Sequence, residues 1–322
     1  ELPDGSDFAS AMKKVGLTVS LSSVPNETSD LCNYIAPSNH FLESWGDAQP
    51  RKNNYYVVQP TISPLFKTRQ AEQSLLTWAN SPVDDFSTYI QNIWKSSLFG
   101  LQNEYSDFQS FWNNSLHNGL IELPSQSGAA GVAIDVTSFG GSISKPGDGV
   151  EVKYYEPMGV GFGAYANNPW LQEMPDPITR TVWTSIVHIP LKWDGDSKFE
   201  YYKDLKKDGL YVDFKSGKNT VKDIPIVRQF GQMSDTIAIP VGYGRTKGNP
   251  SAEKVGNYVI NTLSRDADGN IRYWNDKVEI TPNGGEDKHF ASVQLHHTMG
   301  VRGKDKSNKV INVDEKAIMT IG

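Results

Sequence analysis

His40, Glu43 and Asp47 stand close together, a histidine able to exchange a proton near neutral pH with a carboxylate three positions on to orient it. The same spacing suits a purely local task, in which Glu43 and Asp47 accept hydrogen bonds from neighbouring backbone. Both readings stay open. His289, His296 and His297 invite a metal, but adjacent side chains on a strand point to opposite faces, so His296 and His297 do not converge on zinc. Asp266, Asp268 and Asn270 begin like a calcium loop. Gly269 is displaced from the glycine position, however, and Lys277 stands where the closing glutamate belongs. Cys32 is the only cysteine, which excludes an internal disulfide and a cysteine-ligated iron–sulfur cluster, and it reads as a small buried side chain on a helix. No Gly-x-Ser-x-Gly elbow occurs. We therefore assign no residue a catalytic role and none a metal.

Two glycine clusters, Gly159-Val160-Gly161-Phe162-Gly163 and Gly242-Tyr243-Gly244, look like phosphate cradles at first sight. Neither lies between a strand and a helix of a βαβ unit, so a Rossmann reading fails. The net charge of −6 provides no basic field for nucleic acid or an anionic membrane surface. No apolar run approaches the ~18 residues that span a bilayer. Nothing at the start of the chain has a signal-peptide pattern, and a chain of 322 residues opening on Glu1 reads as a processed or excised piece with room for two domains.

The elements that would position these groups fall into two compositional halves. In the first, Phe8, Met12 and Val15 predict a short helix ending at Gly16, Leu17–Leu21 a strand, and Asn26–Ile35 a helix with Leu31, Cys32 and Ile35 inward. Pro37 to Pro64 reads as a long ordered loop carrying Trp45, Tyr55, Tyr56 and Val58. Helices follow at Arg69–Trp78, with Ala71, Leu75 and Trp78 inward, at Asp84–Leu98 with Phe86, Tyr89, Ile90 and Trp94 on one stripe, and at Glu104–His117 with Phe108, Phe111, Trp112 and Leu116. Such stripes are core rather than cofactor box, and His117 faces the negative end of its helix dipole. A parallel sheet needs neighbouring strands that this half does not supply. The first half should therefore expose an apolar edge or patch.

Past Pro124 the helical period stops and strand-like runs begin, at 131–137, 150–155, 181–189, 210–214, 223–229, 236–241, 258–264 and 271–280. Turns are expected at Asp268-Gly269 and Asn283-Gly284-Gly285. The expected class is α+β or mixed: a partial α/β domain with helices over 1–125, a β-rich, barrel-like domain over 126–302, and a linker over 303–322.

Within the second half, Tyr165–Thr179 contains Pro169, Pro175 and Pro177, which remove three N–H donors and forbid most regular structure. It also carries Trp170, Leu171 and Met174, expected to be buried. The segment reads as a rigid crossover that packs its Trp on the β core or lines a site or interface.

This segment, Asn167-Asn168-Pro169-Trp170-Leu171-Gln172-Glu173 followed by Pro175-Asp176-Pro177-Ile178-Thr179, resembles the C-terminal domain of molybdopterin oxidoreductases. It is similar in particular to the branch found as the fused molybdopterin-like and iron–sulfur subunit of Alternative Complex III. Three further places carry the resemblance: Glu27 to Asp47 with Gln59–Pro64 and Thr68-Arg69-Gln70, Asp208 with Gly209-Leu210-Tyr211-Val212, and Val241–Thr246. Asn33 departs from the usual Asp. The resemblance implies that the second half is the domain covering one end of a molybdopterin guanine dinucleotide in active relatives, with Asn167, Asn168 and Arg245 as vestigial contacts. Because the branch resembles proteins that have lost the cofactor, it implies none in this chain. It further implies a structural role in a bacterial respiratory quinol:electron-acceptor oxidoreductase, peripheral to the inner membrane on the periplasmic side. The partners would be upstream molybdopterin-like domains, a downstream iron–sulfur domain and other subunits of that complex. The alternative is the dinucleotide-binding half of an active molybdenum enzyme.

Overall fold

Alternation of apolar and polar residues beyond residue 149 makes strands whose inner faces close on one another, whereas the first half alternates at the helical period. The computed structural model of the protein describes residues 5–124, 149–193, 199–293, 302–304 and 310–312. It divides into two units, Val15–Ile143 and Ser144–Gly322 with Glu1–Lys14. The mixed α+β class with a barrel-like second part is what the structure has. The boundary expected at residue 125 falls at the edge of residues that are not described.

In the 15–143 unit, β1 (Val19–Ser20) pairs in parallel with β2 (Tyr34–Ile35), with no third strand among the described residues. The helix expected over 26–35 is absent. A single 3-10 turn, Ser29–Leu31, takes its place, and Leu31 and Ile35 are exposed. Local side-chain bonds explain the change. Asn26 Oδ1 accepts from Ser29 N at 2.8 Å, and Asn33 Oδ1 accepts from Thr18 N and Oγ1, both at 2.9 Å, tying 33 to the strand at 18. Short polar side chains of this kind compete with helical hydrogen bonds. Pro37–Pro64 is also more regular than expected. After a 3-10 turn at Phe41–Glu43 it forms a hairpin of β3 (Gly46–Arg51) and β4 (Asn54–Val58), to which β5 (Leu120–Glu122) adds.

Three α-helices are described in this unit. In α2 (Ala71–Trp78) the inward expectation fails, since Leu75 and Trp78 are exposed and Ser74 is buried instead. Helices α3 (Phe86–Ser97) and α4 (Phe108–Asn118) begin at Asp85 and Asp107, whose carboxylates accept from Thr88 N and Ser110 N, and α4 ends at Gly119 with φ +70°. Ile90 and Trp94 of α3 and Phe111 and Trp112 of α4 pack with Val57, Leu98 and Leu123 as the core, while Tyr89 turns outward. Trp94 stands edge-on to Trp112, with ring centroids 5.5 Å apart.

The other unit begins with α1 (Gly5–Met12), shorter than expected and with Phe8 exposed. Its strands are β6 (Val150–Tyr155), β7 (Val187–Trp193), β8 (Phe199–Tyr201), β9 (Leu210–Ser216), β10 (Asn219–Gln229), β11 (Thr236–Pro240), β12 (Ser264–Arg265), β13 (Ile271–Arg272) and β14 (Trp274–Glu286). Order β10-β9-β14-β6-β11-β7 closes into a six-stranded barrel because β7 pairs back in parallel with β10, Val187 opposite Ile226. β8 hangs on β7, and β12–β13 is a small hairpin turned by Gly269 at φ +84°. The barrel is filled by alternate residues, among them Val152 and Tyr154, Val187 and Ile189, Val212 and Phe214, Ile224 and Ile226, Ile237 and Ile239, and Ile280.

Four expectations change in this unit. The run 181–189 becomes strand only at Val187, and 258–264 is not a strand but a 3-10 turn, Ile260–Thr262, whose Thr262 bonds the buried Tyr154 hydroxyl at 2.9 Å. Asn283-Gly284-Gly285 is a bulge inside β14 rather than a hairpin turn. Within the expected linker, β15 (Arg302–Lys304) pairs with β16 (Val310–Asn312). The run 131–137, His296 and His297 lie outside the described residues.

Candidate functional site

Trp170 is not the anchor that its residue type suggested. Asn168 caps a short helix, α5 (Pro169–Gln172), by accepting from Trp170 N at 3.0 Å, and the indole at its second position is 82% exposed. Met174 is also exposed and Leu171 half-buried. The segment is fixed by polar and backbone contacts instead. Gln172 is buried, and its Nε2 donates to Ala166 O at 3.0 Å and Ser251 O at 3.3 Å.

The two glycine clusters meet face to face. A Cβ on Gly242, where φ is +93°, would fall well inside contact with Gly161 O and 2.7 Å from Gly163 N. Only a glycine admits that backbone crossing. The three residues proposed as vestigial cofactor contacts each bond within the protein, and Arg245 does so at the crossing itself. Asn167 Oδ1 accepts from Asn249 N at 2.9 Å, its carbonyl accepts from Asn249 Nδ2 at 2.6 Å, and Arg245 Nη1 donates to Gly163 O at 2.6 Å. Asn168 is the helix cap. With the two clusters in backbone contact and these polar atoms engaged as struts, the residues do not form a cradle that fits a dinucleotide phosphate.

The remaining sequence candidates are structural as well. His40 caps the 3-10 turn at Phe41–Glu43: its Nδ1 accepts from Leu42 N at 3.3 Å, while Glu43 accepts from His40 N at 3.0 Å and from Leu65 N at 3.0 Å. Those two N–H donors hold the Glu43 carboxyl below the usual range. Asp47 Oδ2 accepts from the buried Trp94 indole at 2.8 Å. The capping alternative is realised for Glu43 but not for Asp47, whose carboxylate holds a side chain distant in sequence, and the His40 ring makes no hydrogen bond to the Glu43 carboxylate. Asp266 closes its own turn by accepting from Asp268 N and Asn270 N. His289 is exposed and lines a second cavity with Trp183, Tyr211 and Asp223.

The structure does assemble a polar group that the sequence did not announce. Because side chains alternate along a strand, the partners of the inward Tyr154, Val187, Ile189 and Ile239 face out. Tyr155 on β6, His188 on β7 and Gln229 on β10 thereby share the outer face of the barrel with Lys153, Ala238 and Pro240. The proline-rich segment covers them, and a cavity of about 380 Å³ remains between, walled by Met158, Met174, Pro175, Pro177, Ile186 and Tyr243. Asp176 enters from the segment. Its Oδ1 accepts from Ile178 N at 3.0 Å, Thr179 N at 2.8 Å and Thr179 Oγ1 at 2.9 Å, a turn that the flanking prolines stiffen.

The group is a chain of short bonds. Tyr155 OH lies 3.1 Å from Asp176 Oδ2 and 2.7 Å from His188 Nε2, and His188 Nδ1 lies 2.7 Å from Gln229 Oε1. Burial pushes the His188 imidazolium down, against the pull of Asp176 and Gln229. Burial also works against the Asp176 carboxylate, but Thr179, His188 and Ile178 outweigh it and hold the carboxyl below its usual range. Tyr155 is pushed well up by burial and by Asp176, and Tyr243 for the same reasons to about 12. Only one signal in the sequence marked this site, a histidine on an otherwise apolar strand.

Comparison with known proteins bears on the fold. No protein-family model and no curated protein sequence matches the chain. Among solved structures, acetylene hydratase from Pelobacter acetylenicus superposes with a TM-score of 0.55 at 12% identity, over 87% of this chain and 42% of that one. The likeness is one of fold. The chain spans less than half the length of that enzyme.

Proposed function

We propose that the chain is a cofactor-free structural and interaction region of a molybdopterin-oxidoreductase-like protein. On this reading it serves a bacterial respiratory quinol:electron-acceptor oxidoreductase of the Alternative Complex III kind. It sits on the periplasmic side, holding an iron–sulfur domain and neighbouring subunits in register. The observation that carries the interaction part is the two-stranded parallel pair β1–β2, on which Tyr34 and Ile35 are exposed, with Leu17 and Leu31 exposed beside it. Parallel strands occur almost only in sheets covered on both faces, and two strands alone are marginal in water. Further strands from an α/β partner would pair with this edge and cover its apolar side chains.

The engagement of Asn167, Asn168 and Arg245 as internal struts supports the cofactor-free part. A single cysteine leaves electron transfer to other parts of such an assembly, because a cluster requires about four thiolates. Hydrogen exchange tests the docking claim. Amides of 17–35 should exchange rapidly in the isolated chain and become strongly protected in the assembled complex. Equal exchange rates in the two states would remove the basis for the proposal. The alternative, half of an active molybdenum enzyme, requires the pterin to bind.

A further inference from the structure

A pair of strands has two outer edges, and an added strand needs an edge that offers it hydrogen bonds. Tyr34 N donates to Thr18 O at 3.1 Å and Ala36 N to Ser20 O at 2.8 Å, with Val19 opposite Tyr34 and Ser20 opposite Ile35. Successive residues of a strand turn their backbone groups to alternate sides. Val19 therefore turns its N–H and C=O away from β2, and Ile35 turns its own away from β1. The outer edge of β2 is poor in donors. Asn33 N is spent on Thr18 Oγ1 at 2.9 Å and Pro37 has no N–H, so Ile35 alone can donate there. Proline beside a strand in this way belongs to a sheet edge that stays unpaired. The outer edge of β1 carries no such block. The N–H groups of Leu17, Val19 and Leu21 have no hydrogen-bond partner among the described residues.

Side chains select the kind of strand that fits. Residues opposite each other in a parallel pair share a face, so Val19 lies with Tyr34, and Ser20 with Ile35. Leu17 and Leu21 extend the Val19 face, whereas Thr18 and Ser20 are polar. We propose that the partner adds a parallel strand to the free edge of β1 and leaves β2 as the outer edge of the sheet. Its side chains alternate, apolar beside Val19 and small or polar beside Thr18 and Ser20, and main-chain bonds to Val19 supply the pairing. This rests on the interaction role proposed above and names the side of the pair that the partner takes. A second copy fits less well. It would meet β1 across a two-fold axis normal to the sheet, which runs the two strands antiparallel, whereas β1 and β2 are parallel and sheets of one sense are favoured. The region matched is also only 42% of acetylene hydratase, so that fold is built from more polypeptide than this chain carries.

Hydrogen exchange resolved to single amides, on the isolated chain and on the assembled complex, tests the assignment. In the complex Val19 N–H should slow by at least about a hundredfold, while Ile35 N–H keeps the rate it has in the isolated chain. Val19→Pro and Ile35→Pro each remove an outward N–H and no bond of the β1–β2 ladder. Val19→Pro should weaken assembly at least about tenfold, Ile35→Pro should assemble like the parent, and both isolated variants should melt like the parent. Protection of Ile35, with or without Val19, overturns the choice of edge and leaves the interaction role standing. A folded Val19→Pro that assembles like the parent does the same. Protection of Val19 that grows with the concentration of the isolated chain assigns the edge to a second copy and overturns the partner. No protection anywhere over 17–35 overturns both this inference and the interaction role.

Discussion

Gly242→Ala tests whether a backbone crossing, rather than an aromatic anchor, fixes the proline-rich segment. The substitution places a Cβ at φ +93°, a region that costs an L-residue roughly 1–2 kcal/mol. It also drives that Cβ against Gly161 O, against Gly163 N at 2.7 Å and against Phe162 C at 3.1 Å. All three are backbone atoms, which cannot rotate aside, so overpacking adds about 1–3 kcal/mol. The expected loss is about 2–5 kcal/mol, or a fall in melting temperature of roughly 5–15 °C for a unit of this size. Trp170→Ala is the control. Its indole is 82% exposed, so the change should stay within about 0.5 kcal/mol and the melt within a degree or two of the parent. Thermal melts followed by circular dichroism compare the two. An unchanged melt for Gly242→Ala, or a loss of about 3–5 kcal/mol for Trp170→Ala as for a buried Trp, would refute the reasoning.

Asp208→Ala should cost about 3–5 kcal/mol in denaturant titration, because it removes the carboxylate partner of Arg228, a buried side chain whose Nε lies 2.8 Å from Asp208 Oδ1. Asp107→Ala removes the cap of α4 and should cost about 1 kcal/mol, with the aromatic core intact in near-ultraviolet spectra. For His188 the folded state holds the ring neutral below its unfolded pKa of about 6.5. Below that pH the unfolded chain binds a proton that the folded chain does not, so stability is complete above about pH 6.5 and declines as pH falls, by at most about 1.4 kcal/mol per pH unit. His188→Gln should flatten that part of the profile relative to the parent, and an identical slope would show that His188 is not the group responsible.

What the sequence revealed follows the range of the forces involved. α3 and α4 were legible because apolar spacing, an aspartate cap and a terminal glycine all act within a few residues, at Asp85, Asp107 and Gly119. Strands β6, β9, β10 and β11 were legible from alternation. Closure of the barrel was not, since it rests on β7 pairing with β10, residues far apart in sequence. The lost helix at 26–35 reflects side-chain bonds of Asn26 and Asn33 that residue periodicity does not register. Trp170 misled because apolarity argues for burial, whereas the cap at Asn168 decides which way that short helix presents its second residue. The Asp176–Tyr155–His188–Gln229 chain was invisible for the same reason as the barrel. Its members come from three strands and a loop, and only the register of the closed sheet brings them together.

The central proposal is a region of a molybdopterin-oxidoreductase-like protein put to structural use, without the cofactor. Elemental analysis of the purified chain for molybdenum and iron, with a fluorescence assay for oxidised pterin on the same sample, tests it most directly. The account predicts neither metal nor pterin in stoichiometric amount. Stoichiometric molybdenum or pterin would contradict it and make the chain part of a working enzyme.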